Sequence, residues 1–131
     1  MKRAAQAIYA VFGTLSIALG LVALLVPRWI TPGDLYTPFV AHLTREQGAE
    51  GVFLGLMSFW CLMHFDERRP VHLALLLFTV LFAAIHWAGY FETGSGRTLA
   101  SPLVNTIPVL MFLIAMPRSR PPDYSTGPLR R

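Results

Sequence analysis

The chain has 131 residues, 54% of them hydrophobic and 14% charged, with a formal net charge of +4 and one cysteine. A soluble domain carries roughly 25% charged residues, so this composition argues against an ordinary water-soluble fold and makes lipid the better solvent. The lone cysteine, Cys61, excludes an intrachain disulfide and a CxxC redox pair.

Four apolar runs follow one another, at residues 4–26, 44–65, 71–91 and 99–116. Each is close to the ~20 residues that cross a hydrocarbon core of ~30 Å at 1.5 Å per residue. The expected fold is all-α: a four-helix transmembrane bundle occupying residues 1–117, followed by a basic tail at 118–131. The first run follows Lys2-Arg3 but is longer than a signal-peptide core and ends in VPRW without a small-residue cleavage site, so it is read as a retained helix. Gly13, Ser16 and Gly20 lie along one side of it and would let a neighbouring helix approach closely. The first outer loop carries a helix start in TPF, with Thr37 as N-cap and Pro38 at the first helical position. This predicts a short interfacial helix over 38–43, or one helix running on from Pro38. TREQ at 44–47 has the form of a capping box that opens the second long helix.

In that second helix Gly48, Gly51, Gly55 and Ser58 form another small-residue face. The DERRP segment joins it to the third helix through a turn too short for anything but an antiparallel hairpin. The third helix ends in HWAGYF, aromatic residues of the kind found at membrane interfaces. A GSGR turn follows at 94–97, and Pro108 is expected to kink the fourth helix by removing one backbone hydrogen bond. The tail is rich in proline and arginine and contains PPDY at 121–124, the pattern of a proline-rich ligand.

Four crossings place both termini on one side. With that side cytoplasmic, Lys2, Arg3, Arg68, Arg69, Arg118, Arg120, Arg130 and Arg131 fall inside, and only Arg28, Arg45 and Arg97 outside. That distribution obeys the positive-inside rule. The basic charge is then mainly topology and attraction to anionic lipid, and nucleic acid is not an expected partner. The expected surroundings are the lipid bilayer, with a membrane-protein partner or a second copy against the glycine faces.

Ionisable side chains within the span cost about 2.5–3.5 kcal/mol each on insertion scales and therefore tend to face the bundle interior. Glu50, Met57 and His64 are spaced by sevens, as are His72, Thr79 and His86. Each set makes a stripe drifting only ~20° per heptad. A hairpin turning near Arg68 would bring Glu50 level with His86 and His64 level with His72. Asn105 falls near the outer level, and Glu46 and Glu92, with Arg45 and Arg97, could line the mouth of an outward-facing polar pocket. Glu50 and His86 are thus the candidate acid–base pair, and Glu50, His86, Asn105, Glu46 and Glu92 the candidate ligand-binding set. The same pair would equally serve as an interhelical hydrogen bond that ties the bundle together. Cys61, His64 and His72, with Met57, offer soft donors to a metal on one helical side, although an interfacial polar pair beside an inert thiol is the plainer reading. No cofactor fingerprint, nucleophilic triad or zinc-protease helix is present in the sequence, and no cofactor is expected.

The layout resembles that of small bacterial inner-membrane proteins of four short helices, DoxX-like in style, through Arg45, Gly48, Gly51, Phe53, Leu54 and Gly55 in REQGAEGVFLG. The resemblance implies a fold and a membrane location but transfers no activity. Two classes of function follow. One is a non-catalytic accessory subunit or lipid-like ligand binder, and the other is a membrane enzyme or proton-coupled carrier built on Glu50 and His86.

Overall fold

The computed structural model describes residues 2–93 and 99–117. Among them it is all-helical: α1 (Lys2–Leu25), α2 (Pro38–Met63), α3 (Arg69–Thr93) and α4 (Ala100–Ile114), with 3-10 turns at Pro27–Trp29 and Gly33–Leu35 between α1 and α2. The GSGR turn with Arg97, and the tail with PPDY, lie outside the described residues.

The start of α2 differs from a separate interfacial helix at 38–43. Thr37 is extended, its Oγ1 accepts from Val40 N at 3.1 Å, and Pro38 occupies the first turn. No breaker stands between Pro38 and the capping-box threonine, so the helix runs straight through. Thr44 is consequently a mid-helix residue whose hydroxyl bonds back to Val40 O at 2.8 Å and meets the Thr31 hydroxyl at 3.2 Å. The cap at Thr37 is the one used, and Thr37→Ala is expected to cost about 1 kcal/mol, read as a lower midpoint in detergent unfolding.

The helices associate as two pairs. α1 packs along most of its length on α2, and α3 on α4, whereas α2 and α3 touch little despite being joined by a short turn. The α1–α2 seam is made of glycine against glycine. A Cβ on Gly48 would stand 2.6 Å from Leu24 N and 2.7 Å from Gly20 O, and one on Gly20 would stand 2.7 Å from Gly48 O and from Val52 N. Gly55 meets Gly13 O in the same way at 2.8 Å. Backbones this close gain dispersion contacts that no larger residue permits, the main attraction available between helices in an apolar solvent. The α3–α4 pair is tied by the Trp87 indole, whose Nε1–H donates to Thr106 Oγ1 at 3.0 Å. α4 continues through Pro108.

The burial pattern is inverted relative to a soluble bundle. Fully buried positions include Ser58, Cys61 and His72, small or polar residues around Tyr9 and Phe112. Large aliphatics point outward at helical spacing: Val11, Leu15 and Leu19 on α1, Leu73, Leu77, Leu81 and Ile85 on α3. Leu77 is 60% and Ile85 67% exposed. Among the described residues two helices, α1 and α3, are long and apolar enough to cross a membrane. α2 carries Arg45, Glu46 and Glu50 in its first half, and α4 has 15 residues.

Candidate functional site

The slack between α2 and α3 opens a cleft to which all four helices contribute. Its polar part, about 180 Å³, has Gln47 and Glu50 from α2, Thr79 from α3 and Asn105 from α4. Phe12, Phe78 and Phe82 wall it. Leu54 and Phe78 are shared with a second, apolar space of about 460 Å³ that follows the α2–α3 groove past Phe53, Met57, Val71 and Ala74. The two spaces adjoin at Leu54 and Phe78, the first carrying Gln47, Glu50, Thr79 and Asn105 and the second lined by apolar residues alone.

Of the expected ligand-binding residues, Glu50 and Asn105 are brought together in this groove, and His86, Glu46 and Glu92 are not among its lining residues. The His86 Nδ1–H donates to Phe82 O at 2.8 Å on its own helix, and no ion pair joins it to Glu50 among the described residues. The polar α3 residue that shares the cleft with Glu50 is Thr79, two turns away from His86. Among the described residues Glu50 and His86 are thus not brought into contact: level matching presumes a close α2–α3 hairpin, and these helices touch little. Glu46 sits on the exposed surface, where its Oε1 is 3.1 Å from Nε2 of His42 one turn earlier. Glu92 is exposed at the end of α3. Asn105 spends its amide N–H on Ser101 O at 2.8 Å.

His64 and His72 are likewise separated. His64 is exposed, stacked on Trp60 with ring centroids 4.5 Å apart, its Nδ1–H donating to Trp60 O at 3.2 Å. His72 is fully buried among Tyr9, Phe112 and Arg68. No group of three or more His, Cys, Asp or Glu side chains able to hold a metal occurs among the described residues, so Cys61, His64 and His72 do not converge as ligands.

The structure also contains a polar cluster that the heptad reading does not include. Arg68 Nε–H donates to the Tyr9 hydroxyl at 3.2 Å, and that hydroxyl is 2.7 Å from His72 Nδ1. With one acceptor position of the phenol oxygen taken by Arg68, the arrangement with fewest unsatisfied groups has Tyr9 donating to Nδ1. His72 then carries its proton on Nε2, the one buried side-chain polar atom without a hydrogen-bond partner among the described residues. Ser58 Oγ–H donates to Tyr9 O at 3.0 Å, so α2 and α3 both bond α1 at this point. Arg68 also donates through Nη1 to Phe65 O and lies over the Phe65 ring. Tyr9 escapes the sequence reading because a tyrosine within an apolar helix is indistinguishable by pattern from a lipid-facing aromatic. The usable signal was its depth: Tyr9 is about two turns into the first helix, the level expected for His72 on the third.

No family model, no curated protein and no solved structure matches this chain. The functional reading therefore rests on the groove and the clusters themselves.

Proposed function

We propose that this chain is a small integral membrane protein of the bacterial inner membrane, a four-helix transmembrane bundle with both termini cytoplasmic, that holds a lipid-like amphiphile in the α2–α3 groove without transforming it. The observation that carries the reading is the amphipathic groove: Glu50, Gln47 and Asn105 at one end, and an apolar channel past Phe53, Met57 and Ala74 beyond it. A hydroxyl- or amine-bearing headgroup would find hydrogen-bond acceptors at the Glu50 end, and an acyl or prenyl tail would lie along the channel. Glu50 makes no hydrogen bond or ion pair among the described residues, leaving its carboxylate to a ligand. The membrane part is supported by the outward aliphatic stripes of α1 and α3, since exposed apolar area of this extent marks contact with lipid or with a partner. α4, about 22 Å long at 1.5 Å per residue, would be accommodated by local thinning of the bilayer or by its flanking residues. The tight α1–α2 seam supports a scaffold role, with α3 and α4 free to meet a membrane partner or a second copy.

Leu54 sits where the polar and apolar spaces meet, so Leu54→Trp would block the groove. Purified in mild detergent and examined by native mass spectrometry, the full chain is expected to carry close to one amphiphile per protein, and the tryptophan variant less than about a tenth of that. Glu50→Leu is expected to keep the tail-dependent binding but lose selectivity for the headgroup. A wild-type chain that carries nothing, or a filled groove that binds as well as an open one, would overturn the reading.

A further inference from the structure

At the other end of the molecule, where α1 and α3 begin and α4 ends, lies the most spacious pocket described, about 490 Å³. Lys2, Arg68 and Arg69 line it, against one carboxylate, Asp66. α3 starts at Arg69 with no acidic residue in its first turn, so the positive end of a 25-residue helix adds to the same field. Two of the cations are drawn to one ring: Lys2 Nζ lies 5.3 Å and the Arg68 guanidinium carbon 3.5 Å from the Phe65 centroid. Arg68 is fixed there by Tyr9 and by Phe65 O, a preorganised donor rather than a flexible surface charge. Like charges gathered in one concavity repel unless an anion is shared among them.

The rest of the wall is apolar. Ala5, Phe65, Ala115, Ile114 and Met116 complete it, and Ile114 and Met116 are exposed on the outer side. Exposed aliphatic side chains thus border the cationic recess, a combination that fits a phosphate carrying a glycerol and acyl chains better than a soluble anion. From this geometry we infer that the Lys2–Arg68–Arg69 pocket is a second ligand site, specific for the phosphate of an anionic phospholipid headgroup. It is separate from the Glu50 groove. It rests on the membrane reading above for the lipid source, and on its own geometry for the anion. Basic pockets between transmembrane helices on the cytoplasmic side recognise anionic headgroups by this combination of charge and apolar wall, and guanidinium adds paired N–H donors matched to phosphate oxygens.

The test uses the full chain in a neutral detergent. Phosphatidylglycerol and phosphatidylcholine with identical acyl chains are titrated in and read by native mass spectrometry. Wild-type protein is expected to hold phosphatidylglycerol at least about tenfold more tightly, and Lys2→Gln with Arg69→Gln to bring the two lipids within twofold. Neither substituted residue bonds Tyr9 or His72, so an unchanged melting temperature shows that the bundle is retained. Equal binding of the two lipids by wild type, or an undiminished preference in the double variant, overturns the site. In a parallel arm inorganic phosphate is titrated without added lipid. Stabilisation by phosphate together with no preference for phosphatidylglycerol overturns the lipid source and assigns the pocket to a soluble anion. Extraction of the chain from membranes by alkaline carbonate would sink the membrane reading alone, and the phosphate arm would still decide the pocket.

Discussion

Gly48→Ala is expected to destabilise the protein by about 1–3 kcal/mol, although alanine is the better helix former by up to ~1 kcal/mol. The propensity gain is local and fixed. The loss comes from a Cβ placed 2.6 Å from Leu24 N and 2.7 Å from Gly20 O. Both obstacles are backbone, so no rotamer change relieves the overlap, and the α1 and α2 axes must separate by several tenths of an ångström along the whole seam. Gly20→Ala meets Gly48 O and Val52 N at 2.7 Å and should behave alike. The other glycines set a scale. At Gly13 the nearest atoms belong to the Phe59 side chain, at 3.0 Å and 3.1 Å, which can yield, and at Gly51 the nearest contact is 3.3 Å. Those two substitutions should cost visibly less. A Cβ on Gly89 would meet nothing within 4 Å outside its own helix backbone, so Gly89→Ala should be neutral or stabilising by about 0.5–1 kcal/mol. Equilibrium unfolding in mixed micelles would read the series. A Gly48→Ala protein as stable as wild type, or a series that ignores the distances, would mean that the seam is not close-packed.

How much of this was readable from the residues depends on the kind of feature. The four helices were legible because each apolar run is long and is ended by proline, glycine or charge, signals that tertiary context seldom overrides. The start of α2 was not settled by pattern, since Thr37-Pro38 and Thr44-x-x-Gln47 are both valid openings. What decides is continuity: nothing between them breaks a helix, and Thr44 can satisfy its hydroxyl on Val40 O from mid-helix. Residue partnership was the least legible. Counting levels across a hairpin gives height along the bundle axis and says nothing of rotation or of which helices touch. The α2 and α3 stripes meet at Glu50 and Thr79, which line one cleft, and not at the level-matched pairs Glu50–His86 and His64–His72. Arg68, immediately before α3, is anchored under Tyr9, and His72 one turn later bonds the same hydroxyl. The first turn of α3 is therefore tied to α1 through Tyr9 as well as to α2.

That same anchor makes the second large effect. Tyr9→Phe removes the hydroxyl that joins Arg68 to His72 while keeping the ring, which packs edge-on against Phe65 with centroids 6.4 Å apart. His72 Nε2 already lacks a partner, so the variant buries an imidazole with both nitrogens unpaired, and Arg68 Nε–H loses its acceptor. An orphaned buried polar group costs about 1–3 kcal/mol, although hydrogen bonds measured in membrane bundles average nearer 0.6 kcal/mol. Three groups left unsatisfied together, two of them on a fully buried ring, favour the larger figure. His72→Phe makes the opposite change. It removes both imidazole nitrogens, including the unpartnered Nε2, and fills the site with a ring of similar size, while Tyr9 still accepts from Arg68 but its hydroxyl proton loses the Nδ1 acceptor. It should therefore cost less than Tyr9→Phe, because one donor is left unsatisfied rather than three groups. The double variant is the decisive measurement. With His72 already replaced, Tyr9→Phe should cost less than in the wild-type background, giving a coupling of 0.5 kcal/mol or more, the range expected for residues in contact. Additive effects would mean that the 2.7 Å contact contributes nothing. A His72→Phe loss as large as that of Tyr9→Phe would mean that the buried imidazole has a partner on Nε2, and the first place to seek it is a ligand.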